Sequence, residues 1–74
     1  MSQENNKKIA ITVNGDREWI PAGLTVNQLI ERFREHDVHL VVELNSRCVF
    51  PQNYNKTVVK EGDFLEFVHP NFGG

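Results

Sequence analysis

The sequence ends in Gly73-Gly74, and the Gly74 carboxylate is the group with the most chemistry open to it. Lacking Cβ atoms, two consecutive glycines can lie extended in a channel too narrow for other residues. Threaded into the nucleotide site of an activating enzyme, such a tail would present the Gly74 carboxylate to the α-phosphorus of ATP. The bland alternative is a frayed end of two small residues, since disorder concentrates at termini. The sequence reads as a whole chain from Met1 to a terminal diglycine, which favours the reactive carboxylate.

Other reactive residue types are sparse. Cys48 is the single thiol. It could accept persulfide sulfur, but it lies in a short apolar stretch, where free cysteine behaves as a small hydrophobe. His36 and His39 are three apart, yet a helix end is expected between them, and no cysteine–histidine cluster supplies further metal ligands. Glu43, Glu61, Asp63 and Glu66 are scattered. Acid–base catalysis by paired carboxylates needs a pocket, so these acids are expected on solvated strands and turns, with Asp63 stabilising its own turn. Some are free to meet basic residues of a partner. Gly15, Gly23 and Gly62 are isolated turn glycines that form no phosphate-binding loop. ATP is therefore expected on a partner, and this chain is expected to bind no cofactor and no metal.

At 74 residues, the chain is one domain near the lower limit for a single unstapled core. A net charge of −2 provides neither a basic stripe for nucleic acid nor a polybasic patch for anionic lipid. One cysteine excludes an internal disulfide, which suits a reducing cytoplasm. The polar start, Met1 to Asn6, has no apolar signal-peptide core, and no apolar run approaches a membrane span. The expected location is cytoplasmic.

The elements that must position the tail follow from periodicity. Residues 1–7 read as a mobile tail, 8–69 as the domain and 70–74 as a flexible C-terminal segment. Ile9, Ile11 and Val13 alternate as in a half-buried strand. Asn14-Gly15 is a strong hairpin signal, leading into a return strand over about Glu18 to Ile20 that Pro21 closes. Thr25 and Gln28 match a capping box, with Leu24 and Leu29 as its hydrophobic staple. Val26, Leu29, Ile30 and Phe33 then make one apolar stripe, and the helix is expected to fray near His36-Asp37. Strands over Leu40 to Leu44 and Arg47 to Phe50 join at Asn45-Ser46, and residues 51–55 read as a loop. Glu61-Gly62-Asp63 turns into a last strand, Phe64 to Val68, which Pro70 ends. The order ββαβββ predicts an α+β, ubiquitin-like β-grasp: a mixed five-stranded sheet with one main helix on one face.

With that order, the chain resembles the ThiS family of sulfur carriers of bacterial thiamin biosynthesis. The residues that carry the resemblance are Asn14-Gly15, Thr25-Val26, Leu29, Ile30, Asn45, Pro51, Glu61-Gly62-Asp63 and Gly73-Gly74. It covers nearly everything from Lys8 onward. The chain departs from the family's pattern at Gln52, where a basic residue is common, and at Pro70-Asn71-Phe72, where small and branched residues are usual. A proline near that point is more like the small subunit of molybdopterin synthase.

The resemblance implies a protein that is not itself an enzyme. Gly74 would be adenylated by a ThiF-like adenylyltransferase related to ubiquitin-activating enzymes. A cysteine desulfurase persulfide or similar sulfur donor would convert it to a thiocarboxylate, and a ThiG-like thiazole synthase would take the sulfur. Gly73, Phe72, Asn71 and Pro70 would be the recognised tail. The uncovered sheet face would dock partners, with Phe50, Tyr54 and Trp19 as candidates to extend a patch beside Phe72; in a domain this small, aromatics such as these three are more often core than interface. Two readings of the same diglycine stay open at this point, a molybdopterin-synthase carrier and a ubiquitin-like protein modifier. A third is a plain binding module whose glycines are incidental.

Overall fold

The computed structural model describes residues 7–70. Residues 1–6 and the tail residues Asn71, Phe72, Gly73 and Gly74 lie outside the described residues.

The element order is β1 (Lys8–Val13), β2 (Asp16–Pro21), α1 (Val26–Arg32), β3 (Val41–Leu44), β4 (Arg47–Val49) and β5 (Phe64–Val68). This is the expected ββαβββ β-grasp. β1 and β2 meet across Asn14-Gly15, whose φ angles of 48° and 89° are both positive, as a two-residue primed turn requires. Because that turn spends no further residue, pairing begins at once with Val13 opposite Asp16 and runs to Lys8 opposite Pro21. β2 is therefore longer than the expected Glu18 to Ile20. Pro21 is tolerated in it because β2 lies at a sheet edge, where a missing N–H breaks no rung.

Thr25 caps α1 as expected. Its Oγ1 accepts from the Gln28 N–H at 3.2 Å, while Gln28 Oε1 accepts from the Thr25 N–H at 2.9 Å. The helix stops at Arg32, before the expected His36-Asp37. Arg34 takes a left-handed φ of 58°, and its N–H donates to the Glu31 carbonyl while that of Glu35 reaches the Ile30 carbonyl. Those two bonds close a Schellman motif.

β3 and β4 join through Asn45 and Ser46, both with positive φ, and Pro51–Asn53 forms a single turn of 3-10 helix within the expected loop. In the five-stranded sheet the order is β2-β1-β5-β3-β4. Only β1 and β5 run parallel; the other neighbours are antiparallel. The last strand thus occupies the middle of the sheet.

The core lies between α1 and one sheet face. Val26 and Leu29 of the helix meet Ile11, Ile20, Val42 and Leu65, all essentially without exposure. Each such side chain contributes about 2 kcal/mol on burial, a large share of what holds so small a domain. Val59, which no periodic pattern flags, joins them. Its N–H donates to the Leu24 carbonyl, and the Val26 N–H donates to that of Thr57. The stretch before β5 therefore clamps the start of the helix. Among the described residues, no helix is long and apolar enough to cross a membrane.

Candidate functional site: the open sheet face and the root of the tail

Strand alternation sorts the sheet's side chains into two faces. Ile9, Ile11, Val13, Ile20, Val42, Leu65 and Phe67 point to the helix. The register puts Trp19 with Ala10, Phe64 with Thr12, Glu66 with Glu43, and Val68 with Val41 on the other face. No element covers that face among the described residues, and its large apolar groups stand in solvent. Trp19 is 59 % exposed, Phe64 60 % and Val68 38 %. Phe50 follows β4 in extended backbone and is 56 % exposed. Continued alternation places it beside Val41. A soluble domain rarely leaves so many large apolar side chains together on one uncovered face unless something docks there.

Of the aromatics named from sequence, Trp19 and Phe50 thus lie on the surface. Tyr54 instead packs against the core, and burial, then the neighbouring Cys48, pushes its phenol above the ordinary value. Phe64 escaped the sequence reading because β5 is apolar at both parities, Phe64-Leu65-Glu66-Phe67-Val68. The available signal was Glu66. A carboxylate in mid-strand marks the solvent face, and Phe64 and Val68 share its parity.

Cys48 corrects an expectation. It is exposed, not packed as a small hydrophobe, because β4 turns Val49 inward opposite Val42 and so turns Cys48 out beside Glu43.

The scattered acids divide by role. Glu61 Oε1 accepts from the Ala10 N–H at 3.0 Å, filling a rung of β1 that β5 does not reach. Asp63 accepts from the Lys60 N–H at 2.8 Å and from Asn45 Nδ2 at 3.0 Å, and so holds its turn as expected. Glu43 and Glu66 face each other across β3 and β5.

At the root of the tail, His69 Nε2 lies 2.7 Å from Glu35 Oε1, and its Nδ1 lies 3.4 Å from Asp37 Oδ2. Each ring nitrogen faces one carboxylate. The side chain thus ties the exit of β5 to the connection after α1. Pro70, the one tail residue described, follows directly. His36 and His39 have separate neighbours: His36 lies 4.0 Å from Glu31, and the His39 N–H donates to Asp37 Oδ1 at 2.8 Å.

A shallow depression of about 200 Å³ lies at the β1–β5 junction beside Arg17, Gly62 and Phe64. Ligand pockets start at about 300 Å³ and bury most of their ligand, so it suits no enclosed substrate. The described residues thus offer an open surface and no enclosed pocket.

Comparison with known proteins addresses the family and the fold. The chain matches the ThiS family over residues 5–74. Among solved structures it is similar to the thiamine biosynthesis protein ThiS of Geobacter metallireducens. The two share 29% identity over 89% of this chain and 100% of that one, with a TM-score of 0.80. No curated protein sequence matches it significantly.

Proposed function

The chain belongs to the ThiS family, the small sulfur carriers of thiamin biosynthesis, and on that premise we propose that the Gly74 carboxylate is the group that carries the sulfur. The protein is a carrier, acted on by enzymes and not one itself. The single observation behind the reading is that the family match runs through the diglycine to residue 74.

The chemistry proceeds on partners. A carboxylate is a poor acyl donor because substitution would have to expel oxide. In the nucleotide site of a ThiF-like adenylyltransferase, a Gly74 oxygen attacks the α-phosphorus of ATP and pyrophosphate leaves. The acyl adenylate now has AMP as a good leaving group. The terminal sulfur of a donor's persulfide attacks the carbonyl carbon and AMP departs. A thiol then cleaves the resulting acyl disulfide at its S–S bond, leaving a thiocarboxylate on Gly74. Its sulfur is a nucleophile in the way a thiolate is, fit for transfer to a ThiG-like thiazole synthase.

The domain supplies recognition. Its apolar open face borders the exit of β5, so a partner seated there has Pro70, Asn71 and Phe72 leading into its active site. Two glycines at the end let the tail fill a narrow channel. Trp19, Phe50, Phe64 and Val68 make the docking patch, with Phe72 extending it along the tail.

The terminal chemistry has a direct test. One residue added after Gly74 is expected to abolish sulfur transfer while leaving thermal unfolding unchanged. Full transfer by the extended chain would overturn the assignment.

A further inference from the structure

Glu43 and Glu66 sit directly opposite each other on β3 and β5, at the middle of the open face. Like charges in that relation destabilise a sheet. Neither glutamate makes a hydrogen bond or ion pair among the described residues. Glu61, Asp63, Glu35 and Asp37 are all engaged inside the chain. The cations of the same face, Lys8 and Arg17, stand on β1 and β2 and pair with neither glutamate. Around the two carboxylates lie Phe64, Val68 and Phe50, all exposed. The centre of the face, on β3 and β5, thus holds two unpaired carboxylates in an apolar frame.

We propose that this face seats a basic side chain of the activating partner, an arginine or a lysine, between Glu43 and Glu66. The inference rests on the carrier reading above and deepens it by naming the partner's contact chemistry. Docking against the apolar frame excludes water, and the attraction between the pair and a partner cation rises as the local dielectric falls. Desolvating the charges offsets much of that gain, so the contribution lies in encounter rate and partner choice more than in raw affinity. Arginine fits best, because its planar fork can serve two carboxylates and stack on Phe64. A partner presenting an acid at this point would be rejected, which makes the pair a specificity element.

The test is ATP–pyrophosphate exchange by the activating adenylyltransferase, with the carrier as the varied substrate across a range of salt. Wild type is compared with Glu43→Gln/Glu66→Gln, with each single change, and with Asp16→Asn, an equal unit charge change off the face. The double variant is expected to lose about tenfold in kcat/KM at low ionic strength through KM, with the gap closing as salt rises. The single variants should fall between. Asp16→Asn should match wild type, and thermal unfolding of the double variant should be unchanged or higher, since a like-charge contact is removed. An unaltered kcat/KM and salt slope in the double variant would overturn the acid-pair inference while wild-type exchange upheld the carrier reading. Absence of exchange with wild-type carrier would overturn both.

Discussion

At both two-residue hairpin turns an asparagine completes the ladder of a third strand. Asn14 Oδ1 accepts from the Phe67 N–H at 2.7 Å and its Nδ2 donates to the Phe67 carbonyl at 3.3 Å. Asn45 Oδ1 accepts from the Phe64 N–H at 2.9 Å. The two side chains therefore serve opposite ends of β5, where the neighbouring strands have turned away. Asp37 is a second residue with a measurable consequence. The His39 N–H, and more weakly the His69 side chain, hold its carboxyl below the ordinary value of 3.8. A carboxyl depressed in the folded state stabilises it above the unfolded value, and that contribution is lost as pH falls through the folded value. Against Asp37→Asn, wild type is expected to keep a stability advantage at neutral pH that shrinks below pH 3.8. Denaturant unfolding across pH checks this, and a gap that widened in acid would contradict it. The sequence shows the turns at Asn14-Gly15 and Asn45-Ser46, because positive φ is a local property of those residue types. It does not show what their side chains bond, because β5 arrives some fifty residues after Asn14.

The helix is an element whose two ends differ in legibility. Its start is written in a four-residue pattern, Thr25 to Gln28, and the reciprocal cap forms as that pattern predicts. Its end carries no glycine. The chain still makes the left-handed turn, with Arg34 in the position that glycine usually fills, and pairing of Glu35 and Asp37 with His69 helps hold the connection that follows. A non-glycine residue in that region is strained by 1 kcal/mol or more. Arg34→Gly is therefore expected to raise stability by about 1 kcal/mol, less the greater freedom that glycine gives the unfolded chain. Equilibrium unfolding in urea measures it. A loss of stability would mean that the arginine side chain, and not the backbone turn, matters there. Val59 was illegible for another reason. Its segment belongs to no strand or helix, so no period marks it, and it is buried only because it crosses the start of α1.

Over the whole molecule, strand order decides where the last strand ends. The last strand lies in the middle of the sheet, so the chain leaves from the centre of the fold with the open face beside it. A ββαβββ order was legible from local patterns, and with it the β-grasp. The open face was only half legible. Trp19 and Phe50 were named without a side, Phe64 was not named, and Tyr54 turned inward. Facing depends on register, and a strand apolar at both parities leaves register to its neighbours. Cys48, expected among apolar neighbours, is exposed for the same reason.

Under the reading proposed above, Gly74 carries sulfur. That reading is tested most directly by high-resolution mass spectrometry of the C-terminal fragment of protein isolated from its native cells. Mapping to that fragment separates the change from oxidation of Met1 or Cys48, which gives a nearly equal mass gain. Exchange of one oxygen for sulfur, located at Gly74, is the expected result. A carboxylate that stays unmodified, even after ATP, the activating enzyme and a sulfur donor are supplied, would contradict it.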